Sequence, residues 1–130
     1  MILLDTCALI FDALTPERLT PLAREALERG EAEGTLACAD ITLWEIAMLV
    51  GKGRLDPGVD SATFCRLALD ARRVSVLPIT PEIARASIEI DLPHGDPADR
   101  LIAATADAYA AVLVTIDKNL RDSPAVATLW

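Results

Sequence analysis

Four short runs of apolar residues, Ile2–Leu4, Thr35–Ala39, Val74–Ile79 and Ala111–Ile116, limit what this chain can become. Each is continuous rather than alternating, as expected of strands covered on both faces of a sheet. Helical periodicity fills the intervals. Glu17–Ala32 sets Leu19, Leu22, Ala23, Ala26 and Leu27 at helical spacing, and Ser61–Arg72 repeats Phe64, Leu67, Ala68 and Ala71. Ile41–Val50 is apolar almost all round and stops at Gly51-Lys52-Gly53. Pro81–Ile90 follows Thr80, and Ala98–Ala110 follows Asp96-Pro97, each a capping residue with proline behind it. Arg54–Asp60 reads as a turn, and the tail Pro124–Trp130 as a short edge strand. Strands alternating with helices predict an α/β protein with a central, mainly parallel sheet flanked by helices.

At 130 residues the chain reads as a single domain. A domain of that size buries roughly two-thirds of its unfolded surface and needs no covalent staple. Hydrophobic residues make up 52% of the chain but aromatics only 4%, so the core must be built from Leu, Ile, Val and Ala. Cys7, Cys38 and Cys65 are odd in number, lack metal-ligand spacing and sit in apolar contexts; they read as small buried hydrophobes in a reducing compartment. The first apolar run meets Asp5 too soon for a signal peptide, and no run approaches the roughly 18 residues of a membrane span. A soluble, cytoplasmic protein is expected.

The net charge of −8 argues against a non-specific nucleic-acid binder held by a broad basic face. It does not exclude a nuclease, because cations bound among clustered acids reverse the local sign.

The acids fall at telling places. In open α/β sheets, sites form beyond the carboxyl ends of the strands. Asp5 ends the first run and Asp117 the fourth. Asp40 ends the second, where it reads as the N-cap of the following helix. Glu45, in ITLWEIAMLV, has Ile41, Thr42, Met48 and Leu49 as helical neighbours and no cation on that face. An unpaired carboxylate there is costly unless it is hydrogen-bonded or bound to metal; a distant Arg or an exposed position would also account for it. In HGDPADRLIAATA, Asp96 reads as a cap, and Asp99 at the third helical position suits the helix dipole. Asp99 also lies on one ridge with Ile102, Ala103 and Ala106, at the mouth of the buried face. Local roles exist as well for Asp117, as cap of Lys118–Leu120, and for Asp5 or Thr6, as cap of a short helix Cys7–Ala13. None of these explains why four acids share one sheet edge, where they would raise each other's pKa. A divalent cation removes the conflict. Oxygen donors without His or Cys spacing point to Mg²⁺ or Mn²⁺, the ions of phosphodiester cleavage.

LLDTCALI, ITLWEIAMLVGKGRL, LPHGDPADRLIAATA and LVTIDKNL, in that order and spacing over nearly the whole chain, resemble the PIN domain family, and within it the VapC-type toxins of bacterial toxin–antitoxin pairs. The resemblance implies an α/β/α sandwich and a metal-dependent endoribonuclease. It implies an acidic quartet of Asp5, Glu45, Asp99 and Asp117 holding Mg²⁺ or Mn²⁺. Thr6 and Thr115 stand where the family places hydroxyls beside the site. Asp96 and Arg100 belong to the DPxDR signature, Asp96 as a helix cap and Arg100 as an orienting or phosphate-contacting group. A homodimer and a VapB-type antitoxin partner, often inserting an Arg into the acidic pocket, are implied in the same way.

The mechanism implied is in-line attack of water on an RNA phosphodiester, leaving 5′-phosphate and 3′-hydroxyl ends. Lys52, Arg54, Arg72, Arg73, Arg100, Lys118 and Arg121 are the candidates for phosphate contacts. His94, next to Gly95 in a loop, is assigned a structural or supporting role. Two other readings compete. One is a Mg²⁺-dependent phosphoryl-transfer domain, which MILLDTCAL disfavours by lacking a second Asp two residues on. The other is a PIN-like domain that binds RNA or an antitoxin without effective catalysis.

Overall fold

The computed structural model describes residues 1–93 and 95–130; the role assigned to His94 lies outside the described residues. The chain runs β1 (Ile2–Leu4), α1 (Thr6–Leu14), a 3₁₀ turn (Pro16–Arg18), α2 (Pro21–Glu33), β2 (Leu36–Ala39), α3 (Ile41–Gly51) and α4 (Ser61–Arg72). It continues through β3 (Ser75–Leu77), α5 (Pro81–Glu89), α6 (Pro97–Ala108), β4 (Val112–Val114), α7 (Lys118–Asp122) and β5 (Thr128–Leu129). The five strands pair in the order β3-β2-β1-β4-β5, all parallel. Leu3 sits opposite Ala37 on one side and Leu113 on the other.

Side chains alternate across this sheet and feed two cores. Ile2, Leu4, Leu36, Cys38 and Val114 face Leu9, Leu27, Ile46 and Phe64 from α1–α4. Leu3, Ala37, Ala39 and Leu113 face Ile102, Ala103 and Ala106 of α6, with Leu120 of α7. The expected α/β/α layering is therefore present, with a mainly aliphatic core. Gly30 of α2 lies so close to β2 that an added Cβ would stand 2.5 Å from Leu36 Cδ2.

Element boundaries differ from the sequence expectation where caps decide. The helix expected from Glu17 begins at Pro21, because Thr20 accepts a hydrogen bond from the Ala23 N–H and a 3₁₀ turn occupies the preceding residues. The helix expected to reach Ala110 stops at Ala108, and Ala110 takes a left-handed backbone with φ 49°. The third apolar run is not covered on both faces. β3 is an edge strand, and Val76 and Ile79 are exposed. Asp40 is not the side-chain cap of α3, because its own backbone is already helical. Its Oδ2 accepts instead from the Ile79 N–H, tying the end of β2 to the segment after β3.

β1 and β4 are adjacent, but the chain leaves β1 toward β2 and returns to β4 from the far side. Their junction is the switch point of the sheet, where an open parallel sheet presents a crevice at its carboxyl edge.

Candidate active site

The crevice is floored by the residues that end β1 and β4. Asp5 takes an extended backbone and caps α1, its Oδ1 accepting from the Ala8 N–H at 2.7 Å. Its Oδ2 accepts from the Thr115 hydroxyl, just past β4. The same hydroxyl oxygen accepts from the Asp117 N–H at 3.0 Å, and Asp117 caps α7 through the Leu120 N–H at 3.1 Å. Thr115, fully buried, thus fixes one carboxylate and the backbone of another. On the other side of Asp5, the Thr6 hydroxyl donates to Glu45 Oε1 on α3 and lies 3.1 Å from the hydroxyl of buried Thr42. Asp96 caps α6 through the Ala98 N–H at 3.0 Å, which sets Asp99 in the first turn of that helix. The capping roles expected of Asp5, Asp96 and Asp117 are all present. The caps aim the carboxylates.

The charges of neighbouring acids act on Asp5, Asp99 and Glu45. Burial pushes Asp5 up to about 6, against the hydrogen bonds from Thr115 and Ala8, and the charges of Asp117 and Glu45 add to the rise. Asp99 rises to about 7, first through burial, then through Asp96, Asp117, Glu45 and Asp5. Glu45 is raised chiefly by burial, with Thr6 opposing and Asp96 adding. Among the described residues, no Lys or Arg forms a salt bridge with any of these acids.

A divalent cation fits this donor set. The available donors are carboxylate and hydroxyl oxygens, the preference of a hard ion. Cys7 is exposed rather than buried as expected, yet desolvation by its surroundings and then the charges of Asp5, Glu45 and Asp99 push its thiol up to about 11, so it stays protonated at neutral pH and offers no thiolate. Among the described residues no three His, Cys, Asp or Glu side chains are gathered into a ready-made cage. Mg²⁺ does not require one. It commonly takes one or two carboxylates and keeps several waters.

Arg100 departs from the expectation of a phosphate contact. Its guanidinium is turned away into the C-terminal end of α5 and the residues after it. There it donates to the carbonyls of Ser87, Ile88, Ile90 and Leu92 at 2.6–3.0 Å. Four of its five N–H groups are thereby used, so Arg100 positions α5 against α6. Arg72 is likewise withdrawn from the phosphate candidates, being bound to Asp12 and Glu31 at 2.7 and 2.8 Å. Lys118 pairs with Asp122, and Arg73 reaches the Glu31 carbonyl. Thr42 was not foreseen as part of the site. Its signal, one polar residue in an apolar helix three places before Glu45, was visible in the sequence.

A parallel sheet with unpaired carboxylates at its switch point defines a class, and the chain belongs to it: residues 2–125 match the PIN domain family. More particularly, it is 33% identical to Ribonuclease VapC22 of Mycobacterium tuberculosis (strain ATCC 25618 / H37Rv) over 132 residues, covering 99% of this chain and 98% of that protein. Among solved structures, it superposes with TM-score 0.75 on a chain of VapBC2 from Rickettsia felis bound to a promoter DNA fragment. That pair is 21% identical, covers 99% of this chain and 98% of the other, and speaks for the fold. A toxin–antitoxin complex from Klebsiella pneumoniae gives TM-score 0.62 at 25% identity, covering 98% and 97% of the two chains.

Proposed function

We propose that this chain is a divalent-metal-dependent endoribonuclease, the VapC-type toxin of a VapBC toxin–antitoxin pair. The observation that carries the reading is the set Asp5, Glu45, Asp99 and Asp117, one buried and three half-buried, whose charges raise the pKa values of Asp5 and Asp99, without a pairing Lys or Arg among the described residues. Kinship with a protein named as a ribonuclease supports the choice of RNA. In this reading one PIN domain acts in the cytoplasm as a homodimer, silenced by a VapB-type antitoxin.

Asp5, Asp99 and Asp117 would hold Mg²⁺ or Mn²⁺, some through water. When bound, the ion lowers the pKa of a water and offsets charge growing on the phosphoryl oxygens. Thr115 and the Ala8 N–H keep Asp5 from rotating. Thr6 holds one oxygen of Glu45, leaving the other to serve as a ligand or to orient the attacking water. Water attacks phosphorus in line, the bond to the 3′ oxygen breaks, and that oxygen leaves as a hydroxyl. The products carry 5′-phosphate and 3′-hydroxyl ends.

The test is cleavage of single-stranded and structured RNA with Mn²⁺ or Mg²⁺, with the ends identified by mass. Asp99→Asn should cost at least the roughly 10- to 100-fold seen when a ligand loses its supporting partner. Ends carrying 2′,3′-cyclic phosphate would overturn the scheme, since the 2′-hydroxyl would then be the nucleophile. The lack of a pre-gathered cage among the described residues favours one second reading, a PIN domain that binds RNA or antitoxin without cutting. Blank reactions across varied RNAs with Mn²⁺ would decide for it.

A further inference from the structure

Beside the acids lies a cavity of about 460 Å³ lined by Ile41, Trp44, Glu45, Met48, Asp96, Pro97 and Ala98. We propose that this cavity receives one unpaired base of the RNA substrate, stacked on Trp44, and thereby selects where the chain is cut. The proposal rests on the ribonuclease reading and names the substrate feature that the same site grips.

Three observations converge on a base. The first is continuity with the acidic site. Glu45 belongs to both, and Asp96-Pro97-Ala98 leads directly into Asp99 on α6. A nucleotide with its phosphate at the acids therefore has its own or its neighbour's base within reach of the cavity. The second is the wall. Trp44 is 58% exposed although it belongs to an otherwise apolar helix, and it is flanked by Ile41 and Met48. An exposed indole is a stacking platform that any base can use, and proteins read single-stranded RNA in this way. The third is the sign of the rim. The polar side chains there are the carboxylates of Glu45 and Asp96. They repel a phosphate but accept hydrogen bonds from the amines and ring N–H groups of a base. Asp96 uses Oδ1 for its cap, which leaves Oδ2 for such a contact. The volume falls in the range of small-molecule sites.

The chain's second tryptophan, Trp130, packs edge-on against Phe11, far along the sequence from α3. Trp130→Phe therefore leaves Trp44 as the sole indole and makes it a reporter. In an Asp5→Asn, Trp130→Phe protein, which binds without cutting, a pool of random hexaribonucleotides should quench Trp44 saturably. The same ribose-phosphate chain lacking bases should not. Trp44→Ala in the Asp5→Asn protein should weaken binding of the hexamer pool by about 5- to 150-fold, the range for losing one base stack, and Trp44→Phe should recover most of it. In the otherwise native protein, Trp44→Ala should raise KM for RNA and alter the preferred cleavage positions. Unquenched Trp44 together with unchanged KM and cleavage positions would overturn the base pocket while leaving the ribonuclease reading intact. Quenching by bases in a protein that never cuts RNA would sustain the pocket and overturn the ribonuclease. Loss of antitoxin binding in Trp44→Ala, with RNA binding unaffected, would assign the cavity to a protein partner instead.

Discussion

At the scale of single residues, the candidate site holds carboxylates where they are least comfortable. Asp99 shows the cost. Its folded-state pKa of about 7 stands above the ordinary 3.8, so the native chain binds the proton more tightly than the unfolded one. The stability this group contributes is full below about pH 4 and is lost as pH rises toward 7. The helix dipole favours a charge at this position by roughly 0.3–1 kcal/mol, but burial and four neighbouring acids outweigh it. In metal-free buffer, Asp99→Asn should therefore melt above the native protein at pH 8, with the advantage shrinking toward pH 4. Mn²⁺ should then raise the native midpoint more than that of the variant. A melting difference constant from pH 4 to pH 8 would show that Asp99 does not titrate against this cluster. Glu45 was the acid most legible in the sequence, because a carboxylate on an apolar helix face demands a reason. Its partner Thr6, which also meets Thr42, brings α1 and α3 together across 39 and 36 residues respectively. No local pattern encodes a contact of that range, and Thr6 was placed beside the site by resemblance alone.

At the scale of elements, caps both start the helices and aim the acids. Asp5, Asp96 and Asp117 each satisfy an N–H in the first turn of a helix. The local rules and the functional reading therefore could not compete, and neither alone revealed the other. What local rules did not supply was the far end of α5. A helix ending leaves carbonyls without partners, and Arg100 satisfies those of Ser87, Ile88, Ile90 and Leu92 from the neighbouring helix. The DPADR motif thus places a candidate site acid and a structural clasp one residue apart. Hydrogen bonds from a charged donor contribute about 1.5–3 kcal/mol each in favourable cases. Because these four share one partly buried side chain, Arg100→Ala should lower unfolding free energy by about 2–4 kcal/mol in urea titrations. Arg100→Lys should recover little, since an ammonium cannot span four carbonyls. The salt dependence of RNA binding should not change. A slope reduced by about 0.7, the signature of one lost single-strand phosphate contact, without loss of stability would restore the phosphate role. The four principal strands and the main helices were readable because their apolar runs and caps are local. The exposure of β3 was not, since an edge is defined by which strand is absent beside it.

At the scale of the whole molecule, the proposed function must hold RNA on a protein of charge −8. The structure sharpens it. Arg72 is bound to Asp12 and Glu31, Arg100 to carbonyls, Arg85 to Glu89 and Lys118 to Asp122. Arg18 lies over the Phe11 ring and Arg24 donates to the Pro16 carbonyl. Lys52, Arg54 and Arg121 remain from the original candidates, too few for a broad basic face. If RNA binds, its phosphates must be attracted by something the chain itself lacks, and the acidic switch-point crevice with its raised pKa values is where divalent cations would gather. Two consequences separate this from ordinary basic-patch binding. With cleavage suppressed by Asp5→Asn, monovalent salt should act weakly, with a slope of log K against log salt shallower than about −3, whereas proteins making six to ten phosphate contacts lose roughly 10³- to 10⁵-fold between 50 and 200 mM salt. Withdrawing divalent ions with a chelator should cost more affinity than that fourfold rise in salt. Asp5→Asn leaves three site acids to attract the ion, so the divalent effect should survive in part and vanish when Asp99→Asn is added. A steep monovalent slope with no response to chelation would mean that RNA is held by a basic surface after all, and that the acidic crevice serves another ligand.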